Sequence, residues 1–192
     1  MSVVIHEVSH GFMAEYLGDD TARNAGRLTL NPIKHIDLFG SILLPALLLL
    51  SHAPFLFGWA KPVPYNPNNL RNKKWGTIAV ASAGILANIF IAVVFGLSIR
   101  FSSGLAPSTG FYTITSSIVL VNLALAIFNL VPIPPLDGSK ILFSFLPASW
   151  AVVINSIERY GFIILLVFIL FFSNILYPIL SHSFTFITGL AF

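Results

Sequence analysis

Near the start of the chain, His6-Glu7-Val8-Ser9-His10 has the residue types and the spacing to do chemistry. It reads H-E-x-x-H. On a helix, residues four apart share a face about one turn apart, so both imidazoles can reach one metal ion. Glu7 stands beside them and can hold and deprotonate a water. Zinc is the expected ion, because imidazole and carboxylate suit it and water on it ionises near neutral pH. Two histidines do not complete a catalytic zinc site. The candidate third ligand is Asp137, far along the chain in Pro132-Ile133-Pro134-Pro135-Leu136-Asp137-Gly138. A plainer reading is a helix with two unrelated histidines and a glutamate. That reading must also explain three ionisable groups in a helix bound for lipid, where such groups are costly and usually functional.

The rest of the chain says what must position these residues. Of its 192 residues, 56% are hydrophobic and only 9% are charged, against about 25% charged in a soluble domain. The expected fold class is an all-α polytopic membrane protein: a single domain over 1–192, with a bundle of about 4–6 transmembrane or re-entrant helices and short extended or β segments near the site. The net charge of +3 is no nucleic-acid signal, since the basic residues sit mostly between apolar runs, as membrane-flanking charges do. With no cysteine, disulfides and thiolate-ligated metals are excluded. No cleavable signal peptide is evident.

The first helix is expected to end near Leu17-Gly18, which is short for a span of roughly 20 residues. Gly26-Arg27-Leu28-Thr29-Leu30-Asn31-Pro32 alternates apolar and polar residues between turn formers and predicts a short strand or hairpin. His35 follows on a polar loop, beside Lys34 and Asp37, and reads as structural. Leu38 to Trp59 is apolar but has basic residues on both flanks. One simple span cannot put both flanks on the cytoplasmic side, which favours a re-entrant hairpin bent near Ser51–Pro54, with His52 a polar turn residue. Lys61-Pro62-Val63-Pro64-Tyr65-Asn66-Pro67 is extended by its prolines. It is either a connector or a rail that presents substrate beside the metal.

Thr77 to Ile99 reads as a spanning helix. Gly84 and its small neighbours allow close helix contact, and Asn88 is a polar group in lipid that must find a partner, in helix packing or in support of the metal site. Phe111 to Val131 is the next span, and the proline run after it must break the helix. A helix broken at membrane depth lines a cavity, a suitable place for Asp137 to turn towards a metal. Taken alone, Asp137 could equally cap the helix that follows. Asn129 could donate to a scissile carbonyl or its oxyanion, or brace the broken backbone. Pro147 to Tyr160 looks interfacial, Gly161 to Tyr177 spans, and Pro178 ends or kinks it. Leu180 to Phe192 is too short for a secure span, and His182 there reads as incidental.

The order of these motifs, together with Gly58-Trp59-Ala60-Lys61-Pro62-Val63-Pro64, Ala83-Gly84-x-x-Ala87-Asn88 and Phe128-Asn129-Leu130-Val131 before the proline run, resembles the site-2 protease family of intramembrane zinc metalloproteases. The likeness is to the short bacterial and archaeal members without a PDZ domain. The resemblance implies one zinc per chain held by His6, His10 and Asp137, with Glu7 as catalytic acid/base and Asn129 positioning substrate or stabilising the oxyanion. It implies a transmembrane protein or peptide as substrate, cleaved to release a regulator or to clear remnant peptides. Family members usually have more helix before the H-E-x-x-H, and often have Pro where this chain has Ile85. Competing readings are a metal-binding membrane transporter, which would have no need of Glu7, and an inactive homologue, which should have lost a member of the set. The basic loops, Arg23–Lys34 and Lys61–Lys74, imply a multi-pass cell-membrane protein whose site opens towards the cytoplasm.

Overall fold

The computed structural model describes residues 1–52, 58–102 and 108–192. Eight α-helices occur among these residues: α1 (Ser2–Tyr16), α2 (Thr21–Asn24), α3 (Leu44–Leu50), α4 (Lys73–Phe101), α5 (Thr109–Leu130), α6 (Asp137–Phe145), α7 (Ala151–Phe172) and α8 (Leu176–Thr188). A π-helical stretch, Leu38–Leu43, leads into α3. Three segments are long and apolar enough to cross a membrane: Lys73–Phe101, Thr109–Leu130 and the run Ala148–Thr188. The all-α polytopic expectation therefore holds.

The bundle is built around α4. Gly76, Val80, Gly84, Asn88, Ala92 and Gly96 are all buried and recur every four residues. Four residues overshoot one turn by about 40°, so this stripe winds around the helix instead of running straight along it. Gly84 thereby lies against His6 and His10 of α1, while Ala92 and Gly96 lie against residues of α5 and α8. Small side chains let the partners close in. At Gly96, for instance, an added Cβ would collide with Ile187 of α8. Large apolar residues such as Leu86, Phe90 and Phe95 point outward, which suits a helix whose solvent is lipid.

One sequence expectation needs correction. Gly26–Pro32 forms neither strand nor hairpin, and there is no β-strand among the described residues. Asn31 uses its side chain to accept from Ile33 N–H and starts a 3₁₀ turn, Pro32–His35. Arg27 sends its guanidinium, and no backbone ladder, across to Lys61 O and Pro62 O. Side-chain bonds have replaced the strand pairing that the alternation suggested. The C-terminal segment, short for a span of its own, packs as α8 on α4 and α5 and is reached from α7 through a 3₁₀ turn at Ser173–Ile175. The helix is interrupted at that turn, ahead of Pro178.

The Leu38–Trp59 segment returns to its own start. Trp59 N–H donates to Gly40 O at 3.1 Å, Ser41 Oγ donates to Trp59 O at 2.7 Å, and Lys61 N–H donates to His35 O at 2.9 Å. This adjacency is what a hairpin requires. Ser51 and His52 lie in a turn, while the rest of the expected bend, Ala53 and Pro54, lies outside the described residues. The buried His35 spends its ring on Thr29 O, a structural use.

The extended segment after the hairpin is held by side chains. Arg27 fixes its start, Glu7 Oε2 accepts from Val63 N–H at 2.9 Å, and Asp19 Oδ2 accepts from Asn66 N–H at 2.6 Å. Asp19 is fully buried and also accepts from Thr21 and from Asn69 Nδ2. Burial alone would raise its carboxyl, but the hydrogen bonds from Thr21, Asn66 and Asn69 outweigh that and hold it below its ordinary value. Replacing Asp19 by Ala strands these donors and is expected to destabilise the fold by on the order of 3 kcal/mol, read as a lower melting temperature in detergent. Because the folded pKa is depressed, the ionised carboxylate contributes above its unfolded pKa of about 3.9 and the contribution fades as pH falls through the lower folded value. The gap in melting temperature between wild type and Asp19→Ala should thus be flat from pH 6 to 8 and shrink below about pH 4.

Candidate metal centre

Helix α1 puts His6 and His10 on one face, both buried against α4. Their rings meet edge to face at 4.6 Å between centroids. The two Nε2 atoms are 3.0 Å apart, and Asp137 Oδ2 lies 3.1 Å from each. These three are the group among the described residues whose donor atoms converge closely enough to hold one metal ion.

Asp137 arrives by the route its local sequence dictates. Pro132, Pro134 and Pro135 cannot continue a helix, so α5 stops at Leu130 and the chain turns before α6. Gly138 passes so close to the backbone of Leu130 and Val131 that any Cβ there would collide with Leu130 O. The N-cap of α6 is Leu136, with no side-chain cap. Asp137 is therefore not a cap, and its carboxylate is free to face the histidines from the first turn.

The hydrogen bonds behind the histidines determine which ring nitrogens carry protons. His10 Nδ1 lies 2.6 Å from Val80 O, which can only accept, so Nδ1 is protonated. For His6 the inference runs through two amides. Asn122 Nδ2 donates to Ile118 O at 2.8 Å, so Asn122 turns its Oδ1 towards Asn88. Asn88 Nδ2 donates to that oxygen, also at 2.8 Å, so Asn88 presents Oδ1 to His6 Nδ1 at 2.6 Å. His6 Nδ1 is protonated in its turn. Both Nε2 atoms, in the neutral rings, then carry lone pairs aimed at each other and at a carboxylate oxygen. Three buried acceptors at this range repel unless a cation sits among them. Two imidazoles and one carboxylate form a donor set of the catalytic zinc type, which leaves one position open. Zinc bonds near 2.0–2.1 Å imply donor separations of about 3.3 Å in a tetrahedron, close to those found. Zinc fits.

Gly84 makes this approach possible. A Cβ at that position would lie 2.6 Å from His10 Nε2 and 2.7 Å from His6 Cε1. Gly11 does the same on the other side of α1, where a Cβ would meet Leu28 and Val63.

The cluster opens into a cavity of about 740 Å³ whose walls include Trp59, Val63, Tyr65, Phe128 and Phe162. Glu7 lines this cavity, held by Val63 N–H. Asn129 is on the wall too, with Nδ2 donating to Leu125 O of its own helix at 2.9 Å. It stands near the three-donor cluster without touching it. Lys140, on α6, places Nζ 3.3 Å from Asp137 Oδ1. His52 and His182 stay outside the cluster.

The sequence singled out the three residues that converge here, together with Glu7 and Asn88. It missed Asn122, although an amide in an apolar run is the same signal that singled out Asn88. It could not have found Val80 O, because a backbone carbonyl has no sequence signature.

The profile of Peptidase family M50 matches residues 96–173, which include Asn129 and Asp137. "Putative zinc metalloprotease YwhC" of Bacillus subtilis is 38% identical over 189 residues, covering 94% of this chain and 83% of that protein. "Putative zinc metalloprotease Rip2" of Mycolicibacterium smegmatis is 29% identical over 171 residues, covering 88% of this chain and 64% of that protein. No solved structure matches the chain.

Two substitutions remote from the donors should weaken metal binding. Asn122→Leu unlocks the Asn88 amide and is expected to lower zinc affinity by roughly 10–100-fold. Gly84→Ala pushes directly on both rings and should lower zinc affinity as well. Competition with a chromophoric chelator, on detergent-purified protein, reads both. Wild-type affinity in Asn122→Leu would show that the amide chain does not hold His6.

Proposed function

The chain belongs to peptidase family M50, and on that premise we propose that it is a zinc metalloprotease hydrolysing peptide bonds within or near the transmembrane segments of other membrane proteins. The observation that carries this reading is Glu7. Its carboxylate, held by Val63 N–H, lines the same apolar-walled cavity as the converging donors of His6, His10 and Asp137, among helices long enough to cross a membrane.

Bound in the cluster, zinc would polarise the scissile carbonyl and lower the pKa of water to about 7. Glu7 takes a proton from the attacking water and delivers it to the leaving amine. The Val63 N–H bond holds Glu7 at the cavity wall. Asn129 donates to the developing oxyanion from that wall, once it releases Leu125 O. A transmembrane substrate must unwind locally before a peptide bond can be reached. The segment from Lys61 to Asn66 is neither helix nor strand and runs along the cavity, which suits a rail for an unwound segment. The basic residues Arg23, Arg27, Lys34, Lys61 and Arg71 flank this side of the chain, so the site opens to the cytoplasm.

A transporter reading has no use for Glu7 hydrogen-bonded to that rail, and an inactive homologue has no reason to keep it in the cavity. Glu7→Gln preserves the acceptor for Val63 N–H and should leave zinc content unchanged, while cleavage falls by about 10²–10⁴-fold. Asp137→Ala should lose most of the zinc. Zinc per chain checks the second claim. Mapping new peptide termini inside transmembrane segments, in cells carrying wild type or Glu7→Gln, checks the first. Equal termini in both strains would end the protease reading.

A further inference from the structure

The third donor of the cluster has two oxygens, and only one of them faces the histidines. Asp137 Oδ2 lies 3.1 Å from both Nε2 atoms. Oδ1 points the other way, to Lys140 Nζ at 3.3 Å, and among the described residues no other group donates to it. Asp137 is 4% exposed, so without Lys140 this oxygen would be a buried partial charge with no donor.

Lys140 is an unusual residue for its place. It lies one turn into α6, where the helix dipole disfavours a cation. An ordinary i,i+3 pair is exposed at both ends and contributes little. Here the acid is buried, and the lysine, with 38% of its side chain exposed, lines the cavity. Its ammonium also stands 5.8 Å from the centre of the Tyr65 ring, so the extended segment helps hold it in place.

We propose that Lys140 is a positioning residue that withholds Asp137 Oδ1 from the metal. It keeps the carboxylate monodentate and so preserves the open position that a catalytic zinc site requires. The inference rests on the metalloprotease reading of the same site. The physical argument is one of competition. A buried carboxylate oxygen takes the best cation in reach. With the ammonium present, Oδ1 has a partner and stays turned away. With an apolar side chain in its place, the metal is the remaining cation, and the carboxylate rotates to bring both oxygens onto it. The metal would be retained, and the position needed for chemistry would be filled.

Cobalt(II) in place of zinc reads this directly, since its visible absorption weakens sharply as coordination number rises above four. Full-length protein in detergent should take up about one cobalt per chain, with the intense band of four-coordination. Lys140→Met should keep its cobalt, lose most of that band's intensity and lose cleavage by roughly 10–100-fold. Lys140→Arg should keep the wild-type spectrum. Because the chain has no cysteine, Lys140→Cys gives a unique thiol, and folding can be held constant by alkylating one preparation in two ways. An S-aminoethyl adduct restores the ammonium and should restore the intense band. An S-propyl adduct should not. Matching spectra for the two adducts, or loss of cobalt from Lys140→Met, would overturn the proposal while leaving the metal site standing. Wild-type protein that takes up no cobalt or zinc would instead overturn the metalloprotease reading itself.

Discussion

Three buried atoms that each offer a lone pair to one cation are the constraint on which the structure turns. His6 Nε2, His10 Nε2 and Asp137 Oδ2 stand 3.0–3.1 Å apart. Each ring has already given its proton away on the far side, to Asn88 and to the Val80 carbonyl. In water such a set would be screened, and in a protein interior it is strongly unfavourable unless a cation completes it. The protein does not relax this arrangement by swapping tautomers, because the acceptors behind the rings are themselves fixed. Val80 O belongs to the backbone of α4. Asn88 is oriented by Asn122, and Asn122 by a carbonyl of α5. The preference for a metal is thus written in the hydrogen-bond directions of two neighbouring helices as much as in the donors.

Packing in a membrane explains why those directions are reliable. Lipid offers no hydrogen bonds, so polar groups in spanning helices must satisfy one another. Asn88 and Asn122 are fully buried and have no alternative solvent. The helices approach through small residues, and Gly84 is the point where closeness matters most, because α4 passes directly over both imidazoles. A single stripe of small residues on α4 therefore does two jobs. It assembles the bundle, and it sets the depth at which the histidines can sit.

Outside the spans the logic reverses. The chain from Lys61 to Asn66 has no ladder or helix of its own, and its place is set by side chains reaching across from the first thirty residues: Arg27, Glu7 and Asp19. One of these is the carboxylate assigned to proton transfer. The extended segment and the base are consequently a coupled unit. Tyr65, near the ammonium of Lys140, ties the same segment to the helix that carries Asp137.

By itself, the sequence placed His6, Glu7 and His10 within about one turn of a single helix, since H-E-x-x-H sets them by helical period alone. It also determined the break after Val131, since proline forbids the helix, and the long apolar spans, since lipid demands them. These are local rules, and local rules survive without tertiary context. The expected hairpin at Gly26–Pro32 failed because alternation is a statement about burial, and Arg27 found partners through its side chain instead of its backbone. Tertiary structure alone decided that Asp137 faces the histidines rather than capping α6, which ring nitrogens are protonated, and which carboxylate oxygen meets Lys140. Each of those depends on the direction of a hydrogen bond between residues far apart in the chain, and direction is a property of packed helices that residue type and spacing do not encode.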